Sequence, residues 1–221
     1  MKVVAFSLWG EEEAYYRGAI ENARLINSKY YLGWQSWFFV GKDVRDTYLR
    51  ELNKFADKVI FVNRSDFSLS FERFSPVLFK NVDVSVSRDT DSRVSDKEYQ
   101  AVLNWEKSEK IFHCMRDHEL HNFPIMAGMW GAKSSMCRSV KKDYQAIFEK
   151  REDRFESDQL CLMDFYKKYR NLFLEHDKFK RYQGAPYPSH GDFLTGSFIG
   201  QRINKNNAPA SDMKSFAKGG Y

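Results

Sequence analysis

The sequence predicts an α/β domain, a Rossmann-like, mixed and mainly parallel sheet flanked by helices. Three observations predict it. Short apolar runs alternate with helical patterns from Lys2 to Val62, in the order β-α-β-α-β. A later run puts Val82, Val84 and Val86 on one face of a strand that ends in Ser87-Arg88-Asp89-Thr90-Asp91-Ser92-Arg93. The 221 residues, 43% hydrophobic and 29% charged, suffice for one substantial core and are too apolar for a disordered chain.

Lys2 to Leu8 reads as the first strand, stopped by Trp9-Gly10. Glu11, Glu12 and Glu13 suit the positive end of a helix, whose apolar stripe is Tyr16, Ala19, Ile20, Ala23 and Ile26. Trp34 to Val40 is a second strand, Val44, Tyr48, Leu52 and Phe55 mark a second helix, and Val59 to Val62 a third strand. Asp66 to Pro76 is irregular. Ser95-Asp96-Lys97-Glu98 predicts a capping box, and the helix behind it buries Ala101, Val102 and Trp105. Lys110 to Met115 is a strand that ends in Arg116-Asp117-His118. Ile125 to Lys133 is apolar and glycine-punctuated, as where a backbone meets a ligand or another strand. Ser157 is expected to cap a helix from Asp158 to about Leu174. The domain spans 1–203 on this reading. Residues 204–221 form a polar tail or linker, which leaves room for further domains in a larger chain.

The net charge of +5 is mild. It suits an anionic small molecule and lacks the dense basic run of a nucleic-acid binder. No apolar run approaches the roughly 18 residues of a membrane span. The start lacks a full signal-peptide core and cleavage site. Cys114, Cys137 and Cys161 are odd in number and far apart, with no disulfide framework or zinc set. They fit a reducing, cytoplasmic compartment. The chain has no Gly-x-Gly-x-x-Gly and no Gly-Lys-Ser/Thr loop, which argues against a dinucleotide cofactor and a P-loop.

The chemistry centres on Asp89 and Asp91. Ligands of open α/β sheets bind beyond the carboxyl ends of the strands, where this pair lies. Two hard carboxylates suit Mg²⁺ or Mn²⁺, with substrate phosphates completing the shell. The bland alternative is a solvated turn. By the same edge rule, Ser7, Leu8 and Trp9 mark a place for a base and ribose. Arg73, Arg88 and Arg93 offer charge-assisted contacts to phosphate or ribose. Arg116, Asp117, His118 and His121 form a polar cluster for a donor sugar or acceptor hydroxyls, and Asp117 is a candidate general base. Met129 and Trp130 are candidates for an apolar acceptor wall, with the core as the alternative for Trp130.

The segments Ser87 to Arg93, Trp105, Ser108, His113, Arg116-Asp117-His118, His121 and Met126-Ala127-Gly128-Met129-Trp130-Gly131 together resemble small GT-A-type glycosyltransferase domains of bacterial surface-polysaccharide clusters and large algal DNA viruses. The likeness extends to Ser7-Leu8-Trp9-Gly10, Asp158-Gln159, His176-Asp177 and Phe198-Ile199-Gly200-Gln201, covering about residues 3 to 201. Ala127 departs from the pattern where a second glycine is usual, and Lys178 where Ser often follows the His-Asp pair. The resemblance implies a GT-A-like fold, a nucleotide-sugar donor (UDP-sugar favoured) and a glycan or other hydroxyl acceptor. Asp89 and Asp91 would bridge Mn²⁺ or Mg²⁺ to the diphosphate, with His176, or else His190, as third ligand. Asp158 and Gln159 would lie on the sugar face, favouring a retaining reaction.

Three alternatives stand beside it. An aspartyl phosphohydrolase also places Asp-x-Asp after an apolar strand, usually on the first strand. A sugar nucleotidyltransferase shares the fold class, but Glu11 to Glu13 would repel a triphosphate. A non-catalytic nucleotide-sugar-binding domain of a larger protein is the third.

Overall fold

The computed structural model describes residues 1–179, 182, 184–189 and 198–210. Its strands are β1 (Lys2–Leu8), β2 (Gln35–Gly41), β3 (Lys58–Val62), β4 (Val84–Arg88), β5 (Phe112–Arg116), β6 (Met129–Lys133) and β7 (Phe173–Asp177). Its helices are α1 (Glu13–Ser28), α2 (Asp46–Leu52), α3 (Asp96–Lys107), α4 (Arg138–Glu149) and α5 (Ser157–Tyr169). The strands form one seven-stranded sheet in the order β3-β2-β1-β4-β6-β5-β7. Only β6 runs against the others, paired antiparallel to β4 and β5. The mixed, mainly parallel sheet is therefore as expected.

The alternation of side chains across each strand divides the core into two layers. Val4, Phe6, Leu8, Val84 and Val86 pack with α1 and α3 on one face. Phe112, Cys114, Trp130 and Ala132 pack with α4 and α5 on the other, and Val3, Ala5, Trp37 and Phe39 extend that second layer over β1 and β2.

Several elements depart from expectation. Asp66 to Pro76 lies in a 3-10 helix, Phe67–Leu78, begun by Asp66 accepting the Ser68 N–H at 2.9 Å and packed through Leu69, Phe71, Phe74 and Val77. The helix expected to reach Leu174 ends at Tyr169, because Phe173 to Asp177 pairs with β5. Ser157 does not cap it: Glu156 precedes the helix at φ 61°, and the Ser157 hydroxyl donates to the Glu152 carbonyl. The capping box is half formed. Ser95 Oγ accepts the Glu98 N–H at 3.3 Å, while the Glu98 carboxylate turns inward instead of back to the cap. Helix α4 has no counterpart among the expected elements, although Val140, Tyr144 and Ile147 form its buried stripe. Residues 202–210 fold as a hairpin, so the expected boundary at 203 falls inside it. No helix among the described residues is long and apolar enough to cross a membrane.

Arg88, the last residue of β4, fixes the turn that leaves the strand. Its side chain is 1% exposed and its Nε lies 3.0 Å from Glu98 Oε1 of α3, itself fully buried. Nη1 donates to the Gly128 carbonyl, and Nη2 to Ser92 Oγ at 3.0 Å. Tyr31 donates to Glu98 Oε1 at 2.7 Å. Burial pushes the Glu98 carboxyl up, and Arg88 and the Tyr31 hydroxyl oppose that shift. An unpaired buried carboxylate is costly, so Arg88→Met should lower unfolding free energy by about 3–5 kcal/mol. Urea denaturation followed by circular dichroism measures this. A loss below about 1 kcal/mol, the scale of a surface pair, would show that the ion pair does not hold the turn.

Candidate active site

The strand register brings the ends of β1 and β4 side by side. Phe6 pairs with Arg88, so Ser7, Leu8 and Trp9 run beside Asp89, Thr90 and Asp91. The acidic residues leave the strand in a turn and diverge. Asp89 Oδ1 accepts from Arg73 Nη1 at 2.6 Å, and its side chain remains 46% exposed. Arg73 Nη2 reaches Asp158 Oδ2 at 2.7 Å. One nearly buried guanidinium thus bridges the acidic turn to the start of α5. Asp158 Oδ1 accepts the Gln159 N–H, and Gln159 holds the preceding loop by accepting from Ala127 N–H and donating to the Ile125 carbonyl.

Asp91 turns toward α1. Its Oδ2 accepts from Arg202 Nε at 3.0 Å, and its carbonyl accepts the Ile203 N–H at 2.6 Å. Burial, and then the Asp89 charge, push its carboxyl up to about 6, against the pull of Arg202. The Tyr15 phenol of α1 is pushed up first by burial and then by the Asp91 charge. Two glycines admit this packing. A side chain at Gly18 would meet the Thr90 carbonyl at 1.8 Å, and one at Gly128 would meet Asp89 Oδ2 at 1.8 Å. Gly18 in a helix interior is a legible packing signal. Nothing in the sequence singles out Tyr15 or Arg202.

Beside the turn, Ser7 Oγ donates to the Leu69 carbonyl at 2.9 Å and Leu8 is core. Trp9 is half-buried and meets Phe67 edge-on, and Phe67 meets Phe155 likewise. Phe155 is 68% exposed, so this aromatic row lines the rim near Asp158.

Other expected site residues are structural in their contacts. Arg93 donates to the Thr90 and Ser92 carbonyls and to Asn207 Oδ1, bracing the turn from behind. Arg116 is buried, paired with Glu175 at 2.6 Å and Asp177 at 3.3 Å, and donates to the Pro124 carbonyl. Asp117 is fully buried between Lys97 and the Ile199 N–H. His121 Nδ1 accepts the N–H groups of Asp117 and His118, and burial holds its pKa down at about 3. His118 stacks on Phe198 at 4.0 Å. Met129 and Trp130 are buried in opposite layers, Trp130 among Phe74, Phe112 and Tyr144.

His176 stands on β7, three strands from β4 and therefore about 14 Å aside at the usual strand spacing. Its Nδ1 lies 2.7 Å from His113 Nε2 inside the core. Sheet order keeps it from sharing an ion with the acidic turn. His190 lies outside the described residues. Among the described residues no group of three or more His, Cys, Asp and Glu converges on a metal position.

No protein-family model and no curated protein sequence matches the chain. Solved structures do. Mouse xyloside xylosyltransferase 1 in its apo form matches with a TM-score of 0.50 at 11% identity, over 80% of this chain and 86% of that one. The apo glycosyltransferase GlyE of Streptococcus pneumoniae TIGR4 matches with a TM-score of 0.50 at 13% identity, over 80% of this chain but 45% of that one. The 4-diphosphocytidyl-2C-methyl-D-erythritol synthase of Anaerococcus prevotii matches with a TM-score of 0.52 at 11% identity, over 98% and 94%. The fold is GT-A-like, the Rossmann-type α/β sheet found in these transferases.

Two outcomes test this arrangement. Gly18→Ala, which usually favours a helix, should instead cost about 2 kcal/mol of stability, in the range for overpacking. A neutral or stabilising result in urea denaturation would remove the close approach of α1 to Thr90. Second, burial lowers the pKa values of His113, His176 (to about 4) and His121 (to about 3). Between pH 6.5 and 4 the unfolded chain then binds more protons than the folded one, so stability falls as pH falls through that window. His176 alone accounts for on the order of 3 kcal/mol by pH 4. Denaturant midpoints measured from pH 7.5 to 4 should show a shallower slope in His113→Phe/His176→Leu. An unchanged slope would mean that the pair is not buried and neutral.

Proposed function

We propose that the chain is a metal-dependent glycosyltransferase that moves a sugar from a nucleotide-diphosphate donor, a UDP-sugar by preference, to the hydroxyl of a glycan or other acceptor. The carrying observation is the Asp89–Arg73–Asp158 bridge at the carboxyl edge of the sheet. It sets an exposed carboxylate suited to a hard cation beside a carboxylate suited to the sugar face.

The residues fit Mn²⁺ or Mg²⁺. Two carboxylates sit in one turn close enough to repel each other, Asp89 is 46% exposed, and phosphate oxygens would complete the shell. When bound, the cation offsets negative charge on the departing diphosphate. The chain's own residues supply the rest. Asp89 and Asp91 would hold the cation on a turn that Arg88 and Arg93 keep rigid. Arg73, with Nη1 on Asp89 and Nη2 on Asp158, orders both acids before the donor arrives, and that preorganisation is the main form of electrostatic catalysis. Trp9, half-buried at the end of β1, faces the place for ribose and base, with the Ser7 hydroxyl held on the Leu69 carbonyl and Leu8 in the core behind it. Asp158 meets the donor sugar, with Gln159 holding the loop beside it. The anomeric carbon–phosphate oxygen bond breaks, the acceptor oxygen bonds to that carbon, and its proton leaves with the diphosphate or to solvent. Asp117, the candidate general base, has Lys97 on one oxygen and the Ile199 N–H on the other, which supports retention over an inverting attack by that base.

A sugar nucleotidyltransferase is the second reading, favoured by the alignment of 98% of this chain with 94% of the diphosphocytidyl-erythritol synthase at a TM-score of 0.52. Against it, Glu11, Glu12 and Glu13 follow β1 and Asp43 accepts the Gly10 N–H, so acid surrounds the place a triphosphate would take.

With Mn²⁺ present, a UDP-sugar at about 100 times its dissociation constant should raise stability by roughly 2.7 kcal/mol in a thermal-shift screen. Asp91→Ala should fold normally and lose that response and the calorimetric Mn²⁺-dependent binding of UDP. Unchanged UDP affinity in Asp91→Ala would overturn the reading. Release of pyrophosphate from UTP or CTP with a sugar 1-phosphate would move the chain to the second.

A further inference from the structure

The hairpin at residues 202–210 covers the acidic turn from the α1 side. It is closed by the Ala210 N–H donating to the Arg202 carbonyl at 2.9 Å and the Asn204 N–H donating to the Ala208 carbonyl at 2.8 Å. Ile203, 1% exposed, anchors it in the core. It grips the turn at three points. The Ile203 N–H meets the Asp91 carbonyl at 2.6 Å, Arg202 Nε meets Asp91 Oδ2 at 3.0 Å, and Asn207 Oδ1 accepts from Arg93 Nε and Nη2 at 3.3 and 3.2 Å. Lys205 adds a pair with Glu13 at 3.5 Å.

Only one of these contacts uses the carboxylate that would hold a cation. A hard divalent ion binds carboxylate oxygen at about 2.0–2.6 Å. With Arg202 also on Oδ2, the ion and the guanidinium would be crowded together as like charges on one small group. Asp91 is nearly buried, so that repulsion would be poorly screened. The Arg202 side chain is 45% exposed and has water to move into, whereas the Asp91 side chain is only 15% exposed. Of the two positive groups, the arginine is the one able to leave.

We infer that Arg202 is the resident counter-cation of Asp91, exchanged for the divalent ion on loading, and that this exchange loosens the 202–210 hairpin and opens the turn for the diphosphate. The inference rests on the reading of Asp89 and Asp91 as the cation site. It adds a role for a residue beyond the sequence's metal-ligand set, and it makes cation loading and hairpin opening one event.

The test uses the protein, Mn²⁺ and, to complete the ion's shell, UDP. Calorimetry reports binding, and hydrogen exchange of the Ile203, Asn204 and Ala210 amides reports the hairpin. In the wild type, Mn²⁺ should speed exchange at these amides. Arg202→Gln should exchange fast without metal and bind Mn²⁺ roughly 5-fold tighter, the scale of one ion pair. Lys205→Gln, which removes a hairpin charge without touching Asp91, should bind Mn²⁺ as the wild type does. Measured Mn²⁺ binding with unchanged hairpin exchange would overturn the latch and leave the cation site standing, as would weaker binding in Arg202→Gln. Calorimetry showing no binding of Mn²⁺ in any variant, and none of UDP together with Mn²⁺, would overturn the cation site itself, and the latch with it.

Discussion

The site depends on the buried guanidinium of Arg88. It joins α3 through Glu98, the loop before β6 through the Gly128 carbonyl, and the acidic turn through Ser92. A buried charge tolerates little displacement from its partners, because separating them leaves both ions desolvated and unpaired. The acidic turn, the start of α3 that follows it and the distant loop before β6 are therefore held in one position. Asp89 and Asp91 hang from a turn whose backbone is fixed at Arg88, at Ser92 and, through Arg93, at the Thr90 and Ser92 carbonyls.

On that fixed turn the charges are divided. Asp89 faces the 3-10 helix and shares Arg73 with Asp158, while Asp91 faces α1 and holds Arg202. Each acid has a basic partner, yet Asp89 stays half-exposed and burial keeps Asp91 reluctant to ionise. Such a pair is held in place by its own basic partners. The second polar cluster of the carboxyl edge behaves differently. Arg116 is paired with Glu175 and Asp177, Asp117 with Lys97, and His121 accepts from the backbone, so these buried groups hold the fold together.

Much of the fold was legible because the period of its apolar residues is local information. Val82, Val84 and Val86 announce a strand, and the stripe of α1 announces a helix, whatever their neighbours are. The segment from Asp66 to Pro76 was not legible as a helix: 3-10 turns carry a weak pattern, and here burial of Phe71 and Phe74 holds them in place. Strand β7 reads as the end of a helix because residues 158–174 suit either state until β5 offers an edge to pair with. Trp130 and His176 show the same limit for function. Residue type suggested an acceptor wall and a metal ligand, but sheet order put one in the aromatic core and the other three strands from the acidic turn.

The sequence by itself determined the α/β rhythm, the acidic pair at a strand end, and the presence of enough arginines to serve anions. These come from side-chain periodicity and residue chemistry, which need no partner to be read. The tertiary structure alone decided which arginine does what. Arg88 and Arg93 hold the backbone, Arg116 holds the far edge, Arg73 bridges two carboxylates, and Arg202 arrives from 111 positions away to sit on Asp91. The reason is physical: a guanidinium's role is set by which acceptors lie within about 3 Å of it, and those acceptors come from strands, loops and a hairpin that only folding brings together.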